Sequence, residues 1–136
     1  MQLTNGDKVN LLAAYHFFIG GIFALLAIAA LVVPLAAVAL GESEFLARLP
    51  GWFLGSSLLI VAAVLGVIAL IDLVLGWGLW QLKTWGRTGA MIFAVFSIPF
   101  VPIGTIAGGV ILYVLLQDEI RELFWAANQP VPPRSQ

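Results

Sequence analysis

The sequence contains no cysteine and very little charge. Without cysteine, the chain can form no disulfide, no thiolate metal site and no cysteine nucleophile. Charged residues make up only 10% of the chain and the formal net charge is −1. We therefore expect no nucleic-acid partner, because no basic patch exceeds two residues. A single histidine, without a Glu-x-x-His pair, gives no basis for a di-metal site.

Apolar residues are what the chain has in excess. They make up 62% of its residues, and the mean hydropathy is +1.07. Soluble domains contain roughly 45–50% apolar residues. Six cations and seven acids could not cover the surface of a soluble domain of this length, whereas a lipid-facing surface needs no such cover. The composition therefore predicts an all-α integral membrane protein.

The order of apolar and polar segments predicts one transmembrane domain, residues 1–128, built as a bundle of four helices. A helix needs about 20 residues to cross about 30 Å of hydrocarbon. Thr4 or Asn5 is suited to cap the first helix. The spans are expected at about 10–40, 52–82, 86–101 and 103–117, followed by an amphipathic interfacial helix at about 118–128 and a disordered tail at 129–136.

Two of these spans have an alternative interpretation. The first could be a signal peptide, since Ala37-Val38-Ala39 has the spacing of a cleavage site, but its apolar core exceeds the usual ~7–15 residues. Pro99 and Pro102 divide the last apolar run into two short arms. We expect both arms to cross, because an irregular tip in lipid would leave backbone groups unpaired. The alternative is a re-entrant hairpin; in both cases its two ends emerge on the same side.

The connection between the second and third spans fixes the orientation. Tryptophan favours the headgroup zone and Lys and Arg favour the cytoplasmic side. The interface residues here are Trp77, Trp80, Lys83, Trp85 and Arg87. Of the six cations, only Arg48 falls on the opposite side of a four-span topology. We therefore predict a multi-pass protein of the cell inner membrane with both termini in the cytoplasm.

The second half of the chain resembles a group of small bacterial integral membrane proteins with four helices. The resemblance is carried by Lys83-Thr84-Trp85-Gly86-Arg87, by Pro102-Ile103-Gly104-Thr105, by Gly108-Gly109, by Leu115-Leu116 and by the segment 118–124. That group has a Lys-x-Trp-x-Arg turn, a Pro-Ile/Val-Gly-Thr hairpin and a Leu-Leu span end. The resemblance implies a bacterial inner-membrane origin and four helices, and it implies no activity.

Asp72 is the most conspicuous polar residue, because it lies inside the second span. Placing a carboxylate in hydrocarbon costs at least about 2.5–3.5 kcal/mol, so something must offset it. Counting back from Lys83 puts Asp72 about 16 Å from the cytoplasmic end of its helix. Ala69 and Gly76 lie on the same helix face, and their small size would allow another helix to approach closely.

A polar cluster inside the membrane is the candidate site. His16, in the antiparallel first span, falls at a depth similar to that of Asp72, with Tyr15 beside it and Tyr113 in the same half of the last span. We expect Asp72, His16 and one tyrosine to come together. The simplest role is an interhelical hydrogen bond that sets packing; a proton or ion pathway, or a site for a lipid headgroup or partner protein, are the alternatives.

Small residues at four-residue spacing predict where helices pack. They are Gly51, Gly55, Gly66, Gly104 and Gly108. Contact within the chain is the simplest interpretation, and contact with a second copy or a larger complex is the alternative.

The sequence favours a protein that is not an enzyme and that needs no cofactor or metal. We expect an accessory or scaffold subunit that packs against membrane lipids and against other membrane-protein subunits or its own copies. The alternative is a small oligomeric transporter or channel that uses Asp72 as its proton- or ion-coupled carboxylate. Its size and span number resemble the small multidrug transporters, but their essential glutamate lies in the first helix, where this chain has none.

Overall fold

A computed structural model of the chain describes residues 3–41, 48, 50–99 and 102–130, without the side chains of 52–54 and 103. The acidic loop around Glu42 and Glu44 and the tail after Pro130 lie outside these residues. The described residues form five α-helices and no strand. These are α1 (Asn5–Ala39), α2 (Gly51–Trp80), α3 (Thr84–Ser97), α4 (Ile103–Leu115) and α5 (Asp118–Ala127).

Two of the helices are long and apolar enough to cross a membrane. They are α1 and the Gly55–Trp80 part of α2. Of the shorter helices, the Gly104–Leu115 part of α4 is apolar but falls below that length. The expected helical segments are therefore all present, whereas only two of the four expected spans have the length of a full crossing.

Helix α1 begins with a reciprocal cap. The Thr4 amide and hydroxyl both donate to Asp7 Oδ2, at 3.0 and 2.7 Å, and the Asp7 amide donates back to Thr4 Oγ1 at 3.2 Å. Such an exchange satisfies amide groups that have no partner inside the helix. The sequence-based prediction of a cap at Thr4 is confirmed. The helix then continues through Pro34 and ends before Gly41, which has a φ of 68°.

Helix α2 ends in a Schellman turn that has leucine where glycine is usual. The Lys83 amide donates to Gly78 O at 2.9 Å and the Leu82 amide donates to Leu79 O at 3.0 Å. Leu82 has a φ of 53°, a left-handed conformation that costs a non-glycine residue about 1–2 kcal/mol. The Leu82 carbonyl accepts a hydrogen bond of 2.8 Å from Asn128 Nδ2, just after α5. The turn is thus held by a side chain far along the chain.

The chain divides into two compact units. The end unit comprises Met1–Phe17 and Val74–Gln136, and the middle unit comprises Phe18–Leu73. All five helices contribute to the core of the end unit. Its buried apolar residues are Val9, Leu12, Ala13, Leu79, Ala90, Ala94, Ile111, Leu115, Ile120 and Phe124.

The middle unit is made of the remaining lengths of α1 and α2. Its buried residues are few and mostly small: Gly20, Ala62, Ala69 and Asp72. Most of its large apolar side chains are exposed on both helices, among them Leu25, Val33, Ile60 and Leu70. Exposed apolar surface of this extent marks a site of contact with a membrane or with another protein.

Glycine permits the closest helix contacts of the end unit. A Cβ at Gly78 would lie 2.8 Å from the Cα of Gly86, so the backbones of α2 and α3 touch there. A Cβ at Gly108 would lie 2.5 Å from the carbonyl oxygen of Ala94, so α3 and α4 touch as well. Real Cβ atoms do not approach other atoms so closely, and a side chain at either position would force the helices apart.

Helix α5 was expected to place its apolar face at the membrane interface, but this face packs against the other helices of the end unit. The helix is amphipathic, as its sequence predicted, but Ile120 and Phe124 are buried in the core of the end unit. Trp125 is exposed. The break at Gln117, with ψ at 136°, turns the chain between α4 and α5. The main apolar face of α5 is therefore covered by protein, and only its Trp125 side remains exposed.

Two neighbouring glycines of α4 give a matched test of the α3–α4 contact. Gly108→Ala is expected to lower the free energy of unfolding by about 1–3 kcal/mol, as overpacking does. Gly109→Ala should be neutral or slightly stabilising, because a Cβ there meets nothing within 4 Å and alanine favours a helix by about 1 kcal/mol. Reversible unfolding in detergent micelles, followed by circular dichroism, measures both. Equal losses for the two variants would contradict the contact.

Candidate functional site

Asp72 lies on the buried face of α2 in the middle unit, where only 1% of its surface is exposed. The neighbour that makes this burial possible is Gly20 of α1. A Cβ at Gly20 would lie 3.2 Å from the Cβ of Asp72, 3.1 Å from the carbonyl oxygen of Ala69 and 3.0 Å from Cγ of Leu73. The expectation that a small residue at position 69 allows another helix to approach is confirmed.

His16 lies in the end unit and is fully buried. Its ring packs edge-on against Tyr15, with ring centroids 5.6 Å apart, and against Phe93 of α3 at 6.2 Å. A Cβ at Gly76 would lie 3.3 Å from the Cβ of His16 and 3.2 Å from the carbonyl oxygen of Ala13. The prediction that Gly76 allows a close helix is therefore confirmed, and the imidazole sits in a packed aromatic setting.

The two tyrosines of the predicted cluster have different positions. Tyr15 is half-buried and lies beside His16. Tyr113 is 72% exposed, so it points away from the core. Because His16 and Asp72 belong to different units, their approach to one another stays a prediction.

The burial of Asp72 and His16 limits what they can do chemically. A group that is closed off from the outside cannot meet a substrate or exchange protons with water without a movement of the helices around it. Burying a carboxylate in a membrane helix costs free energy, and such residues are tolerated where they face the interior of a helix bundle. Among the residues that the structure describes, no group of three His, Asp or Glu side chains could hold a metal ion.

The glycines predicted to pack helices divide into open and closed positions. At Gly51, Gly55 and Gly66 of α2, a Cβ would meet nothing within 4 Å, so none of the described residues of the other helices contacts them closely. Gly108 lies against Ala94, as described, and Gly104 is half-buried. The first three positions are thus open among the described residues, and their predicted role in helix packing stays a prediction.

Spacing rules did not reveal the close contacts at Gly20, Gly78 and Gly86. These contacts join residues on different helices, and their partners are not at four-residue spacing. The signal that could have revealed Gly78 and Gly86 is their position on either side of the Trp-rich turn, where α3 must pass close to the end of α2.

Arg87 has a role that sequence reasoning did not predict. Its Nε and Nη2 both donate to the carbonyl oxygen of Leu115, at 3.0 and 2.8 Å. Leu115 is the last residue of α4, where carbonyl groups lack partners within the helix. The guanidinium therefore caps α4 and joins the beginning of α3 to the end of α4.

Lys8 makes a similar connection. Its Nζ donates to Gln117 Oε1 at 3.2 Å and to Asn5 Oδ1 at 3.3 Å, so it joins the beginning of α1 to the α4–α5 junction. Lys83 is exposed, in contrast, and so are the three tryptophans expected at the interface, Trp77, Trp80 and Trp85. The predicted interface residues thus include both outward-facing side chains and one structural cap, Arg87.

Comparison with known proteins adds no relative. No family model matches the chain, and neither a curated protein nor a solved structure matches it.

Replacing Arg87 or Lys83 with alanine removes one positive charge from the same turn. Only the Arg87 variant also loses the hydrogen bonds to Leu115. Arg87→Ala is expected to lower the free energy of unfolding by about 1.5–3 kcal/mol, the range for hydrogen bonds to charged groups. Lys83→Ala should change it by less than about 0.5 kcal/mol, as surface substitutions usually do. Unfolding in mixed micelles measures both variants. If they were equally stable, the cap at Leu115 would contribute nothing beyond charge.

Proposed function

We propose that the protein is a non-catalytic integral membrane protein, an accessory or scaffold subunit that packs against lipids and a larger membrane complex. The observation that carries the proposal is the exposure of its most apolar helices. In the apolar 18-residue stretches that qualify α1 and α2 as possible membrane spans, 0% and 22% of the residues are buried, respectively. A core helix of a soluble protein would be mostly covered by its own fold. These helices instead present apolar side chains outward, as lipid-facing helices do.

A cleaved signal sequence would explain α1 but not α2. The second apolar stretch lies in the middle of the chain, and a signal peptide lies at the amino terminus. The proposal therefore places both long helices in the membrane as spans. Helices α3 and α4 form a hairpin whose two ends lie on one side, and the proposal places this hairpin in the membrane as well, which gives four membrane helices with both termini in the cytoplasm.

The orientation follows from the cations. Lys8, Lys83, Arg87 and Arg121 all belong to segments that the topology places at the cytoplasmic side, and Arg48 is on the other side. The positive-inside bias is small in number but has the same sign at each of these segments. It supports the orientation with both termini in the cytoplasm, and the resemblance described above implies the inner membrane of a bacterial cell.

A role in packing against other proteins is supported by the open glycines of α2. Gly51, Gly55 and Gly66 meet no neighbour within 4 Å, and small residues are what membrane helices use for close mutual approach. A non-catalytic role is supported by the burial of Asp72 and His16, since neither side chain is presented to a solute.

The proposal is tested by purifying the tagged protein from its native membrane in mild detergent and determining its native mass. A larger partner protein at fixed stoichiometry is expected. Gly55→Leu should reduce the yield of that partner, because it fills an open position. Gly21→Leu, at an open position of α1, is the matched control. A pure homo-oligomer, or a monomer with lipid only, would contradict the accessory role.

The alternative function is a small oligomeric transporter or channel that uses Asp72. What favours it is the position of a carboxylate within a membrane helix, which is characteristic of proton and ion pathways. It would require water to reach a side chain that is 1% exposed, and thus a second arrangement of the helices.

Asp72→Asn separates the two functions. The proposed packing role predicts that the variant still assembles with its partner, with a change of about 0.6 kcal/mol in stability for one interhelical bond. A transporter would lose proton-coupled flux. Native mass determination and proton flux into proteoliposomes measure these outcomes, with Glu119→Gln as the control at an exposed carboxylate. Proton flux by the native chain that Asp72→Asn abolishes would contradict the packing role.

A further inference from the structure

Helices α3 and α4 are each too short to cross the hydrocarbon layer, whereas α1 and α2 are long enough to cross it. Helix α3 has 14 residues and α4 has 13, which correspond to about 21 and 20 Å. Hydrocarbon is about 30 Å thick, so each arm is about 10 Å short. Helices α1 and α2, with 35 and 30 residues, reach about 52 and 45 Å.

The tip of the hairpin has the composition of a segment inside lipid. Residues 88–117 carry no charge, and the region of the tip is made of apolar residues, proline, glycine, serine and threonine. By contrast, the connection between α1 and α2 contains Glu42, Glu44 and Arg48. Near the tip, Phe96 is 71% exposed and Ile106 is similarly exposed, so the outer surface stays apolar where a loop in water would be polar.

In the described residues on either side of the tip, 97–99 and 102–105, two side-chain hydroxyls donate to backbone carbonyls of the chain. The Thr105 hydroxyl donates to the carbonyl oxygen of Ile98 at 2.6 Å, which connects α4 to the end of α3. The Ser97 hydroxyl donates to Phe93 O at 2.9 Å. Pro99 and Pro102 have no amide hydrogen to satisfy. Hydrogen bonds of this kind are what polar side chains at membrane depth require, because lipid offers no hydrogen-bond partner.

The other end of the hairpin is where its charge lies. Arg87 joins the beginning of α3 to the last carbonyl of α4, so both arms start from one level. The contact of Gly108 with Ala94 holds the arms together along their length. The open end of the hairpin is thus charged and is held by the hydrogen bonds of Arg87 to Leu115. The tip region is apolar and uncharged.

We propose that α3 and α4 form a re-entrant hairpin. It enters from the cytoplasmic side, reaches about 20 Å into the bilayer, and returns to the same side with its tip in the hydrocarbon. The proposal rests on the membrane location proposed above. It replaces the sequence-based expectation of two further crossings with two spans and a hairpin that stops within the bilayer.

Because the chain has no cysteine, single-cysteine variants can locate the tip without background. The variants are Ile98→Cys at the tip, Arg48→Cys as the external control and Thr84→Cys as the cytoplasmic control. Each is expressed in cells, and labelling by a membrane-impermeant maleimide is measured in sealed right-side-out vesicles, in inverted vesicles and after denaturation.

A re-entrant tip predicts that Ile98→Cys reacts at least about tenfold more slowly than the controls from either side, because thiolate does not form in hydrocarbon. Denaturation should then restore full labelling. Labelling of Ile98→Cys from outside at the rate of Arg48→Cys would overturn the proposal in favour of full crossing. Labelling from the cytoplasmic side at the rate of Thr84→Cys would overturn it in favour of a hairpin outside the membrane.

The controls distinguish failure of the hairpin from failure of the membrane location. If the chain did not span the membrane, Arg48→Cys and Thr84→Cys would label from the same side. A second measurement uses a fluorophore on Ile98→Cys in vesicles with nitroxide lipids. Stronger quenching by a nitroxide midway along the acyl chain than by one on the headgroup is expected, and the reverse order would overturn the proposal.

Discussion

Helix ends must find hydrogen-bond partners, and most of this structure depends on how the chain supplies them from so few polar residues. A helix leaves amides without partners at its start and carbonyls without partners at its end. Thr4 and Asp7 close the start of α1, and Arg87 closes the end of α4. Asn128 donates to Phe124 O at the end of α5 and to Leu82 O after α2. A chain in water could leave these groups to solvent; a chain in lipid cannot.

Because polar residues are few, cations and glycines also have structural roles in this chain. Lys8 and Arg87 bind carbonyl or amide oxygens of other segments, so two of the cations from which the orientation is predicted also join the helices. Close backbone contacts at Gly78 and Gly86 bring α3 alongside α2 in the end unit. In membrane helices, which is the setting proposed for this chain, small residues allow close packing where the hydrophobic effect gives little advantage to contact over lipid.

Sequence reasoning predicted the helical segments and the packed face at Ala69 and Gly76, because these depend on local hydropathy and on one helix periodicity. It did not predict the cap at Leu115, because a contact between residue 87 and residue 115 depends on how two helices are arranged. It assigned Gly51, Gly55 and Gly66 to packing, yet these positions are open within the chain, since spacing identifies a surface fit for contact but not its partner. The apolar face of α5 was predicted correctly, whereas its burial against the other helices required tertiary structure.

The account depends on the exposed apolar helices being covered by lipid, and alkaline carbonate extraction of native membranes tests this most directly. The protein is predicted to stay in the membrane pellet after carbonate treatment and to be released only by detergent, as an integral protein is. Release into the supernatant would contradict the account, because the exposed faces of α1 and α2 would then need a cover other than the bilayer.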